Sequence, residues 1–320
     1  MKTILNSFLI GAMLLSPLLA QNNSLTRQYT PVVQSMSTAL LFGLNVNEWS
    51  AFRFERAANA WHSVPFQIDQ LKDNGRYDKD SDGVADATDE LIFMPEDAGD
   101  RADNFSWLEN SASQQHPRIE LEFTDPLAPD EKGWIYLYKN VDETIAVENY
   151  VDYSPGPSGK PAADTVKTDA FILGHDKNGW IDYLAFPDGR GDIIDRFKLR
   201  LAGDMLIGPL YEINEDFVES EEGDSAVVFY PGPVRSFHST KAAILIEKLG
   251  LPILPDKSVF RYEYIYTPYS FEIAAETNIE RRFLTLFGVQ TIRQSVDFNE
   301  NASGMKVYSS NNPDGLRVDG

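Results

Sequence analysis

The chain has 320 residues, 42% hydrophobic and 12% aromatic, with no cysteine and a net charge of −21. It is too apolar for a disordered protein and long enough for one large core or two ordinary ones. The missing cysteine removes disulfides, thiolate metal sites and cysteine nucleophiles, and the acidic balance argues against nucleic acid, whose phosphates need clustered Lys and Arg.

Residues 1–20 place Lys2 before an apolar stretch from Phe8 to Leu15, then Ser16-Pro17, Ala20 and a polar segment. This is the layout of a signal peptide, too short to span a bilayer. The expectation is a bacterial-type export signal, a periplasmic or secreted mature chain, and no transmembrane segment after cleavage. An exported chain without disulfides needs another staple, and a bound cation is the obvious one.

Beyond the leader, short Val-, Ile-, Tyr- and Phe-rich segments alternate with Gly, Pro, Asn and Asp clusters, and helical periodicity is almost absent. Strands are expected over 39–44, 51–55, 63–68, 91–94, 118–123, 133–139, 144–151, 170–173, 181–186, 197–201, 226–230, 234–239, 258–266, 271–276, 291–297 and 305–309. The fold class is therefore mainly β, an antiparallel β-sandwich or stacked sheets with few helices.

Between the third and fourth strands, residues 78–89 read Asp-Lys-Asp-Ser-Asp-Gly-Val-Ala-Asp-Ala-Thr-Asp. Carboxylates fall at loop positions 1, 3, 5, 9 and 12 with glycine at 6, the spacing that offers Ca²⁺ its oxygen ligands. Asp78, Asp80, Asp82, the Val84 carbonyl, Asp86 and Asp89 are the predicted ligands. These twelve residues resemble the calcium loops of EF-hand, dockerin and thrombospondin type 3 proteins. The flanks, with Pro65 and Gly75 before and Pro95 after, predict a loop between non-helical elements and an ion that stiffens a long connection.

Residues 153–161 hold three prolines and two glycines, marking either a linker between a β domain over 21–152 and a second over 162–320, or a long loop within one sandwich. Asp176, Asn178 and Asp182 form a weaker second cation candidate, against a plain pair of β-turns. The acids over 212–224 read as a solvated loop. Residues 312–320 read as a further turn.

The turn Gly232-Pro233-Val234-Arg235 looks like one found in the sandwich domains of some polysaccharide lyases and mutarotase-like proteins. On that resemblance Arg235, His238 and Tyr264 are the catalytic candidates, for charge neutralisation and proton abstraction. The four histidines, His62, His116, His175 and His238, show no metal-ligand spacing and give zinc catalysis no support. Residues 239–250 predict a helix, capped by Ser239-Thr240 and closed by Gly250, with a strand running on from Val234 as the rival. Tyr262, Tyr264 and Tyr266 share one strand face, either to stack on sugar rings or to pack a core. The functional expectation is a calcium-stabilised binding or structural protein acting on a surface partner or extracellular glycan. The alternative is a polysaccharide lyase or glycoside hydrolase.

Overall fold

The run Trp134-Ile135-Tyr136-Leu137-Tyr138 is apolar at every position, as a strand covered on both faces must be, and all five side chains are buried. In the computed structural model it is the heart of a mainly β protein: strands make up 49% of the structure, in several antiparallel sheets, consistent with a β-sandwich. The residues described are 21–37, 41–78, 80–141, 149–156, 163–176, 179–203, 218–219, 227–244, 247–248, 251–252, 259–277 and 289–318. Among them no helix is long and apolar enough to cross a membrane. The chain forms two compact units, Met1–Tyr150 with Gly232–Arg235, and Val151–Pro231 with Ser236–Gly320.

The first unit contains β1 (Val32–Ser35), β2 (Trp49–Glu55), β3 (Ala60–Ser63), β4 (Phe66–Asp69), β5 (Glu90–Phe93), β6 (Ile119–Asp125) and β7 (Ala128–Lys139). Its four-stranded sheet runs β3-β2-β7-β6 and its three-stranded sheet β1-β5-β4. Alternation along β7 feeds two cores. Ile135 and Leu137 join Leu91, Phe93, Leu121 and Phe123, with the Phe93 and Phe123 rings edge to face at 4.9 Å. Trp134, Tyr136 and Tyr138 join Phe52, Phe54 and Leu108. That second core is capped by the Arg118 guanidinium, which lies 5.6, 5.0 and 4.9 Å from the Trp61, Trp107 and Tyr136 rings.

The second unit contains β8 (Asp152–Ser154), β9 (Thr165–Lys167), β10 (Ile172–His175), β11 (Ile181–Ala185), β12 (Ile194–Gly203), β13 (Val218–Glu219), β14 (Val227–Tyr230), β15 (Ser236–Ile244), β16 (Glu247–Lys248), β17 (Leu251–Pro252), β18 (Val259–Thr267), β19 (Ser270–Thr277), β20 (Val289–Phe298), β21 (Lys306–Ser309) and β22 (Asn312–Arg317). One sheet runs β11-β10-β9-β8; another runs β13-β15-β18-β19, with β14 also on β15. The long strands β12 and β20 pair with each other.

Three expectations are corrected here. The helix over 239–250 is replaced, through Ile244, by β15, which pairs with β18 from Ser236↔Tyr266 to Ala243↔Val259. Ladder pairing with β18 overrides the helical propensity of Lys241-Ala242-Ala243. The turn expected at 312–320 is largely β22, hairpinned on β21. The strand at 39–44 is not found over 41–44, a turn over 41–43 followed by irregular chain, and the nearby strand is β1; residues 39–40 of it, and 144–148 of the strand expected at 144–151, lie outside the described residues. Of the Pro/Gly stretch, Tyr153 and Ser154 belong to β8 and 157–161 lie outside the description.

Candidate functional site

The acidic loop is bent by its own carboxylates. Asp78 Oδ1 accepts the Asp80 N–H at 3.2 Å, Asp82 Oδ1 the Val84 N–H at 2.8 Å, and Asp86 Oδ1 the Thr88 N–H at 2.7 Å. Each is an Asx turn, in which a short side chain copies a backbone turn. Gly83 takes the left-handed φ of +77° that favours glycine, and the stretch is pinned by an Asn45↔Val84 bridge and the Val46 N–H to Gly83 carbonyl bond. Asp80, Asp82 and Asp86 are exposed and Asp78 half-buried, with Lys72 Nζ 3.5 Å from Asp78.

Two of the predicted ligand positions have other partners. Asp89 is buried and its two oxygens accept the N–H groups of Leu71 at 2.8 Å and Asp86 at 2.9 Å. The Val84 carbonyl accepts the Gln70 amide at 3.2 Å. Burial raises the Asp89 carboxyl above its ordinary value, while the Thr88 hydroxyl lowers Asp86.

At the weaker candidate, Asp176 Oδ1 accepts the Trp180 N–H at 2.9 Å across a turn with Gly179 at φ +78°. Asp182 is the extra residue of a bulge, since Gly174 faces Tyr183 but His175 faces Ile181. Its side chain is exposed, and Asn178 lies outside the described residues.

Of the catalytic candidates, Arg235 sits in the first unit. Its Nη2 lies 2.6 Å from Asp69 Oδ2 and 2.6 Å from Glu90 Oε2. Gln67 completes the group: Oε1 accepts the N–H groups of Val234 and Arg235, while Nε2 donates to Asp69 at 2.6 Å and to the Arg235 carbonyl at 2.8 Å. Gly232 permits this approach, because a Cβ there would lie 2.4 Å from both the Arg235 carbonyl and Gln67 Oε1.

His238 and Tyr264 belong to the second unit, and there the structure gathers residues that sequence spacing did not connect. Asp164, His175 and His238 are all buried, and one ligand atom from each lies within 4.8 Å of the others; this is the sole such group of His, Asp and Glu among the described residues. The bulge beside His175 and the left-handed φ of +56° at Ala163, uncommon for a non-glycine residue, aim the first two inward. His175 Nδ1 lies 2.5 Å from Asp164 Oδ1, and its Nε2 lies 2.6 Å from the Tyr266 hydroxyl and 3.0 Å from His238 Nδ1. Burial holds both imidazoles well below their usual range, hence neutral, and raises the Asp164 carboxyl. His238 Nε2 and the Tyr264 hydroxyl are buried without a hydrogen bond among the described residues, whereas the Tyr153 hydroxyl serves the Asp164 carboxyl.

The tyrosine stripe is one packed face: Tyr262, Tyr264 and Tyr266 are each 0% exposed. The face that was a candidate for sugar stacking is therefore core. The Asp164–His175 pair follows from the β9–β10 hairpin, whose register ends at Thr165↔Gly174, so a hairpin reading of 164–175 was the signal available for it. His238 arrives from a different sheet, and no local spacing announces it.

Comparison with protein families, with curated proteins and with solved structures finds no match to this chain.

Proposed function

We propose that this is an exported, calcium-stabilised β-sandwich protein that binds at the cell surface or on extracellular glycans. The observation that carries the reading is the loop over 78–89, where glycine at position 6 adopts the left-handed conformation and successive Asp side chains turn the backbone on itself. Asp78, Asp80, Asp82 and Asp86 are the ligands in this reading, with Asp89 anchoring the loop to Leu71 from behind. Exported proteins meet calcium near the millimolar affinities of extracellular modules, so a loop with four carboxylates is filled. Phe105, 94% exposed and near Trp107 in sequence, is the aromatic surface offered to a sugar face.

The polysaccharide-degrading alternative draws no support from its three candidates: His238 and Tyr264 are enclosed, and Arg235 is held by two carboxylates.

The test is thermal melting in calcium and in chelator. Calcium raises the melting temperature of the wild type, and Asp80→Ala with Asp82→Ala abolishes the increment. Identical wild-type curves with and without calcium overturn the cation reading. Glycan-array binding without turnover, lost in Phe105→Ala, supports the binding role, whereas release of reducing ends or unsaturated sugars overturns it.

A further inference from the structure

The proton count at the buried histidines does not close. His175 Nδ1 faces a carboxylate oxygen and is therefore the N–H of that ring, leaving Nε2 with a lone pair. The Tyr266 hydroxyl donates to that lone pair. His238 Nδ1 stands 3.0 Å from the same atom. If His238 carries its proton on Nδ1, its Nε2 is a bare acceptor; if on Nε2, that N–H has no acceptor and two lone pairs oppose each other. Either tautomer leaves a buried polar atom unmatched, which is costly in a dry interior, and a second proton would put an imidazolium there.

A divalent cation resolves all of these at once, because it accepts lone pairs from both rings and the carboxylate without requiring a proton. We propose that Asp164, His175 and His238 form a binding site for a divalent first-row transition ion of the zinc class, enclosed within the second unit. Two imidazoles and one carboxylate select such ions over Ca²⁺ and Mg²⁺, which favour oxygen. Atoms about 2 Å from a common zinc are at most about 4 Å apart, so the 4.8 Å spread needs only a small side-chain adjustment. The Tyr266 hydroxyl stands beside His175 Nε2 as a further oxygen. All three ligand residues and Tyr266 beside them are buried, and a site closed off from bulk solvent suits a structural ion. Held there, the ion staples β10 to β15, strands of different sheets.

The experiment uses the full-length, tag-free protein, treated with chelator, returned to saturating calcium and titrated with Zn²⁺ against a chromophoric competitor. One equivalent binds. In ¹⁵N-histidine-labelled protein two of four imidazoles respond, with His62 and His116 unmoved. His238→Gln and Asp164→Asn each weaken binding at least a hundredfold. Absence of stoichiometric Zn²⁺ binding, or a response confined to His62 and His116, overturns the proposal; the imidazole spectrum of the wild type decides it even where a variant fails to fold. Because calcium is present throughout, this outcome is independent of the calcium loop.

Discussion

His238 lies directly across the β15–β18 ladder from Tyr264, their rings stacked at 24° with centroids 5.5 Å apart. Two residues further along the same face, Tyr266 reaches His175 Nε2, whereas the Tyr264 hydroxyl is enclosed without a hydrogen bond among the described residues. Adjacent tyrosines, stacked at 6°, thus have opposite hydrogen-bonding fates.

Phenylalanine substitution separates them. Tyr264→Phe removes a desolvated, unbonded hydroxyl and leaves stability in denaturant unchanged or raised by about 1 kcal/mol, while Tyr266→Phe strips a donor from His175 and lowers it by about 1–2 kcal/mol. Equal losses in both variants would contradict the assignment.

In the first unit, Arg235→Ala leaves Asp69 buried without the guanidinium that meets it through both Nε and Nη2, and costs about 3 kcal/mol. Adding Asp69→Asn to that variant recovers part of the loss, since the uncompensated charge goes. Urea midpoints of the two variants measure the recovery, and a double variant weaker than the single one refutes the pairing.

Asp89 acts as an anchor whether or not the loop holds calcium. Asp89→Ala frees two backbone N–H groups and lowers stability by about 2 kcal/mol in chelator as well as in calcium. A loss seen only in calcium would make Asp89 chiefly a ligand.

Asp97 sets a pH dependence. Burial lifts its carboxyl from 3.8 to about 6, against the Tyr150 hydroxyl that donates to it at 3.0 Å. A pKa raised in the folded state means that the protonated form is favoured there: its contribution is full below pH 3.8 and is lost as pH rises through 6. Wild type therefore gains on Asp97→Asn by about 1 kcal/mol between pH 7.5 and 4.5, the partly exposed site being screened. A difference that is flat across that range, measured by chemical denaturation, rejects the assignment.

The β architecture was legible where side chains alternate or run apolar. Val259-Phe260-Arg261-Tyr262-Glu263-Tyr264-Ile265-Tyr266 reads as a strand because its tyrosines recur every second residue, and 133–139 reads as one because it is apolar throughout. Residues 241–244 misled because their local preference is helical and the deciding contribution, an eight-residue ladder with β18, is not local. The acidic loop was visible as spacing, but Gln70 and Leu71, which take up the Val84 carbonyl and one Asp89 oxygen, lie outside the motif. His238 is far from His175 in sequence, and only sheet stacking brings them to 3.0 Å.

The four residues Gly232–Arg235 complete the first unit although they are made late. At ordinary rates of chain growth, on the order of 10 s separates the emergence of Gln67 and Asp69 from that of Arg235. During that interval the nascent first unit holds a carboxylate and an amide whose partners do not yet exist, so its final electrostatics form only once the chain has grown through Arg235. A fragment ending at Tyr150 keeps that unfinished state permanently, and a circular permutant that begins near Gly232 would supply the arginine first.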